Sequence, residues 1–99
     1  MAGFRLSAKA LDDLRAIASF TEQRWGRKQR NRYLKQLDNA FHWLAAQPAL
    51  GSGCSEIRAG YRKYPQGSHL IFYRTGGDKS VEVTRILHKS MDVPARLWE

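Results

Sequence analysis

Residues 8–26 read AKALDDLRAIASFTEQRWG, and the placement of their apolar members decides the fold. Leu11, Leu14, Ile17, Ala18, Thr21 and Trp25 recur at steps of three and four, the spacing of one face of an α-helix. Ser7 stands where an N-cap hydroxyl is wanted. Asp12 and Asp13 lie in or near the first turn, where negative charge suits the helix dipole, and Gly26 takes the position just past the C-terminus. A second helical pattern follows at once, with Leu34, Leu37, Phe41 and Leu44 running to about Ala46 before Pro48 closes it. Two such helices, joined by so short a break, fold back as an antiparallel hairpin whose apolar stripes need something to cover.

The flanking sequence supplies it. Phe4-Arg5-Leu6 alternates as a short first strand does, and beyond the hairpin Ser55–Arg58, Tyr61–Tyr64, Ser68–Thr75 and Ser80–Leu87 read as strands. Gly60, Pro65-Gln66-Gly67 and Gly76-Gly77-Asp78 bound them as turns, so the strands form an antiparallel meander. Gly51-Ser52-Gly53 reads as a flexible connector, since no helix follows it to bind a phosphate. Leu70–Tyr73 and Val81–Leu87 are apolar on both sides of the alternation, which marks central strands. The hairpin covers only one sheet face; the mixed tail from Met91 to Glu99 either folds back on the other or awaits a partner. The expected architecture is a single α+β domain over residues 1–99. It comprises a short N-terminal strand and an antiparallel two-helix hairpin packed on a twisted antiparallel β-sheet.

Composition removes several function classes. With 42% hydrophobic and 26% charged residues in 99, the chain is globular rather than disordered. Cys54 is a lone thiol, and with His42, His69 and His88 it matches no zinc spacing, so neither a disulfide, a metal nor a cofactor is expected. The start lacks the apolar run of a leader and no stretch reaches the length of a membrane span, which leads us to expect a cytoplasmic protein with no membrane partner. Lys and Arg number 17 against 9 Asp and Glu, a net charge of +8. Six of these cations, Arg24, Arg27, Lys28, Arg30, Arg32 and Lys35, fall in one acid-free run. Such a run is either a solvated helix face or a patch for an acidic partner or a phosphate backbone.

Catalytic patterns are sparse. No nucleophile elbow surrounds a serine, and the adjacent Asp12-Asp13 pair is explained by its helix start. What remains is a set of basic and aromatic residues on the strands, including Arg62, His69, Tyr73, Arg85 and His88. Metal-free RNA cleavage needs a base for the 2′-hydroxyl, cations for the phosphorane and an acid for the leaving oxygen. His88 or Tyr73 suits the acid or base role, with Arg62 and Arg85 as cations. The alternative is a sheet whose Arg and Tyr face solvent and whose histidines satisfy buried carbonyls.

Particular segments resemble a known family. Ala10-Leu11-Asp12-Asp13-Leu14, Gly26 at the hairpin, Pro48 and Gly51 after it, and Glu56-Ile57-Arg58 fit the pattern of the ParE branch of the RelE/ParE toxin superfamily. Gly60-Tyr61-Arg62, His69-Leu70-Ile71-Phe72-Tyr73-Arg74, Arg85-Ile86-Leu87-His88 and Met91-Asp92 resemble its signature in order and spacing. The resemblance implies the toxin of a type II toxin–antitoxin module that inhibits DNA gyrase and blocks replication without catalysis of its own. It also implies a cognate ParD-like antitoxin, with DNA met only indirectly through gyrase or antitoxin. RelE-type relatives are ribosome-dependent mRNA endonucleases. Their basic cluster is matched here only by Lys63 nearby, and His88 precedes an extension instead of ending the chain. If that alternative held, Arg62, Arg85 and His88 would be catalytic. On the gyrase reading, Arg62, Arg85, His88, Lys89, Met91 and Asp92 are the residues expected to carry toxicity. Trp25, Arg30, Tyr33 and Trp43, with the basic run around them, are expected to meet the antitoxin.

Overall fold

In the computed structural model of the chain, residues 3–54 and 58–90 are described. The elements run β1 (Phe4–Leu6), α1 (Ala8–Trp25), α2 (Arg27–Ala46), a 3₁₀ turn (Pro48–Leu50), β2 (Ser52–Gly53), β3 (Arg62–Gln66), β4 (His69–Thr75) and β5 (Val81–His88). Ser7 caps α1, its hydroxyl accepting from the Ala10 N–H at 3.0 Å. Gly26 ends α1 at φ +92° and donates to the Glu22 carbonyl, so a residue without Cβ makes the reversal into α2. Asp12 and Asp13 fall beyond the first turn of α1; Asp12 pairs with Arg15 on the helix surface, and for Asp13 the dipole account gives way to a tertiary one described below.

The hairpin packs on one face of a five-stranded sheet in the order β1-β5-β4-β3-β2. The strands from β2 to β5 pair antiparallel, as the short turns imply, whereas β1 joins the far edge in parallel with β5, Phe4 opposite Val81 and Leu6 opposite Val83. The sheet is therefore mixed, because the hairpin between β1 and the later strands serves as the long crossover a parallel pair requires. Leu37, Ala40, Phe41 and Leu44 of α2 and Ala10 and Ile17 of α1 close over Ile71, Tyr73, Val81, Val83 and Ile86. The opposite face carries a smaller cluster of Cys54, Tyr61, Phe72 and Leu87.

Three boundaries depart from the sequence reading. Ser52-Gly53 is a strand instead of a connector, its pairing with Arg62 and Lys63 supplied entirely by the backbone. Pro65 and Gln66 continue β3, and the turn begins at Gly67, whose φ of +59° suits glycine. The strand expected over Ser55–Arg58 lies largely outside the described residues, and Arg58 belongs to the turn before β3. On α1, Leu11 and Trp25 are exposed although they share the apolar spacing, and the buried residues of the helix are Ala10, Ile17 and Thr21.

Candidate functional site

β1 covers β5 only as far as Val83. The next edge positions are met by side chains of α1 and its cap: the Ser7 hydroxyl donates to the Thr84 carbonyl at 2.8 Å, and the Asp13 carboxylate accepts from the Ile86 N–H at 2.9 Å. Asp13 also takes Arg85 in a two-pronged pair, Nε to Oδ2 at 2.9 Å and Nη2 to Oδ1 at 3.0 Å, with both side chains mostly buried. One carboxylate thus stands in for a neighbouring strand and neutralises the cation beside it.

Beyond this clamp a groove of about 550 Å³ opens between α1, the start of α2 and the end of β5. Ile17, Phe20 and Trp25 form its apolar wall, and Tyr33, His69 and His88 its polar one. Phe20 and Trp25 are 59% and 66% exposed, a large apolar surface for a chain this small. The Arg24 guanidinium lies over both rings, 5.9 Å and 6.0 Å from their centres.

The polar wall is knitted together. Tyr33 Oη accepts from the Ser68 N–H, approaches the Gln66 carbonyl at 3.1 Å and lies 2.6 Å from His69 Nδ1. His69 and His88 face each other across β4 and β5, edge to face with ring centres 5.3 Å apart. His88 Nδ1 lies 3.1 Å from the Ser90 backbone nitrogen and 2.7 Å from its hydroxyl. Burial pushes His69 down to about 4, reinforced by His88 and opposed by Asp13, so this imidazole is neutral at physiological pH. Burial raises Tyr33 above its ordinary value, with the Ser68 hydrogen bond working against it.

The expected site residues divide. Trp25, Tyr33 and His88 share the groove. Arg30 lies on the adjoining helix start, paired with Glu22 and bonded to Asn31. Lys89 is exposed just past β5, its backbone N–H donating to the Ser68 carbonyl. Trp43 is 52% exposed but stands outside the groove, farther along α2. Arg62 and Arg85 do not converge. Arg62 donates to the Gly51 carbonyl at 2.8 Å on the β2 side of the sheet, Arg85 turns to Asp13 on the other, and β4 separates their strands by ~10 Å in all. Met91 and Asp92 lie outside the described residues.

Phe20 and Asp13 were not legible as site residues. Phe20 sits off the apolar spacing of α1, and that is itself the available signal, an aromatic on the face that should be polar. Asp13 meets a partner 72 residues away, which no local spacing reveals. Among the described residues no group of three or more His, Cys, Asp or Glu could hold a metal ion.

Comparison with known proteins agrees with this architecture. Residues 4–93 match the family described as ParE toxin of type II toxin–antitoxin system, parDE. Toxin ParE1 of Mycobacterium tuberculosis is 44% identical over 94 residues, covering 95% of this chain and 96% of that protein. Toxin ParE1 of Caulobacter vibrioides is 41% identical over 97 residues, covering 98% and 99%. A solved chain from the chromosomal ParDE TA system of P. aeruginosa shares the fold with a TM-score of 0.75 at 20% identity, over 89% of this chain and 96% of that one.

Proposed function

The chain belongs to the ParE toxin family of type II toxin–antitoxin systems, and on that premise we propose that it inhibits DNA gyrase, blocks replication and is held inactive by a ParD-like antitoxin. The observation that carries the non-enzymatic part of this reading is the separation of Arg62 from Arg85. A phosphorane needs its cations on the same few oxygens, and here each guanidinium is held by a protein acceptor on a different side of the sheet. The protein then acts by binding, favouring the state of gyrase in which DNA is cut over the state in which it is resealed. His88 and Lys89, at the end of β5, lead into Met91 and Asp92 and form the proposed target contact; Arg62 and Arg85 support it by fixing the strands.

The antitoxin occupies the groove. An acidic, amphipathic segment suits it, with apolar side chains against Phe20 and Trp25 and carboxylates toward Arg24. Among the described residues no helix is long and apolar enough to cross a membrane, and gyrase places the site of action in the cytoplasm. The test is a supercoiling assay with purified gyrase, ATP and relaxed plasmid. Inhibition that one equivalent of the cognate antitoxin reverses supports the reading; undisturbed supercoiling beside cleavage of ribosome-bound mRNA contradicts it.

A further inference from the structure

The basic run of α2 is divided by the helix between two uses. Arg30 turns inward to Glu22 and Asn31, whereas Lys28, Arg32 and Lys35 are exposed. At 100° per residue these three share one stripe, which continues through Asn39 to the exposed indole of Trp43. Lys28 and Lys35 are about 10 Å apart along the axis, and the stripe to Trp43 spans about 22 Å. The nearest acid on the helix, Asp38, lies off the stripe and pairs with His42 at 3.5 Å. Neither the groove described above nor the second hollow of the surface, lined by Phe4, Leu14, Leu34 and Phe41 among others, includes Lys28, Arg32, Lys35 or Trp43. The stripe is therefore a convex, cationic ridge without an apolar anchor beneath it.

We propose that the Lys28-Arg32-Lys35 ridge of α2 docks on the phosphate backbone of duplex DNA. Charge complementarity commits it to a polyanion, and its shape selects among polyanions. Single strands are held in channels with rows of stacking aromatics, whereas a straight ridge with a single indole at one end fits a rigid row of phosphates. A protein helix would be expected to seek an apolar stripe, which this face does not offer. Trp43, exposed at the end of the row, carries an indole N–H, a donor with no acceptor role, of the kind that contacts phosphates. Such docking carries no sequence information and gives the protein an affinity for DNA of its own, independent of gyrase and of the antitoxin.

The experiment is fluorescence anisotropy of a labelled 24-base-pair duplex titrated with the purified chain over a series of salt concentrations. Three phosphate contacts give a log–log salt slope of about −2.7 from the ridge. Lys28→Gln/Arg32→Gln/Lys35→Gln should remove about that much slope and weaken binding at least tenfold at ~50 mM salt. The triple Lys9→Gln/Arg15→Gln/Lys79→Gln removes the same charge from other exposed positions and should leave most of the affinity. Gln is nearly as good a helix former as Lys and Arg, and a single Arg32→Gln, expected to lower the slope by about 0.9, gives the same reading with less perturbation. Equal losses in the two triples would reduce the effect to net charge and overturn the proposal. So would ridge-dependent binding that favours single-stranded RNA of the same length, or loss of an acidic helical peptide with duplex binding unchanged.

Discussion

Asp13 illustrates how much one side chain decides in a chain this short. Its carboxylate satisfies a strand N–H and a guanidinium at once, so removing it leaves Arg85 and Ile86 without that acceptor. Asp13→Ala should cost about 2–3 kcal/mol, read as a fall in urea midpoint, and Arg85→Met nearly as much. The double variant should cost less than the sum of the two, which a double-mutant cycle measures. His69 gives a second prediction. Its folded value, about 4, lies below the ordinary 6.5, so the unfolded chain binds the extra proton first. The stability this ring contributes is complete above about pH 6.5 and is lost as pH falls toward 4. His69→Gln should flatten the unfolding free energy over that window, which urea titrations at a series of pH values would read.

At the scale of elements, the junctions carry the fold. Tyr73 reaches out of β4 to pin the segment after α2, its hydroxyl donating to the Pro48 carbonyl at 2.6 Å and accepting from the Gly51 N–H at 2.8 Å. Tyr73→Phe should cost about 1–2 kcal/mol by leaving both groups unpaired. Gly51→Ala should be worse, since its Cβ would collide with the Tyr73 hydroxyl and come within 2.8 Å of the Lys63 carbonyl. Thermal unfolding of the two variants checks the order.

The helix hairpin was legible in the sequence because Leu37, Phe41 and Leu44 repeat at helical spacing and Gly26 marks the reversal. The long strands were legible because Leu70–Tyr73 and Val81–Leu87 are apolar on both faces. β2 was not, since Ser52 and Gly53 enter the sheet through backbone alone, with no side-chain pattern to announce it. The candidate site was half legible. Trp25, Tyr33 and His88 were named, but their meeting in one groove depends on β1 stopping at Leu6, and the inward turn of Arg85 depends on a distant carboxylate.

For the whole molecule, the exposed aromatics and the net charge of +8 point to function by association. Phe20→Ser and Trp25→Ala remove apolar surface that the core does not use, so stability should change by no more than about 0.5 kcal/mol. Affinity for the antitoxin should fall at least tenfold, which titration calorimetry with the cognate partner would read.

The central claim, inhibition without chemistry, is tested most directly by incubating the protein with gyrase, ATP and plasmid, stopping with detergent and protease, and scoring linear DNA. We expect protein-linked breaks to accumulate with toxin concentration, to disappear when gyrase is omitted, and to persist in Arg62→Lys protein, since that change removes no catalytic group. Intact DNA together with codon-phased cuts in ribosome-bound mRNA, abolished by His88→Ala, would contradict the account and make the toxin a nuclease.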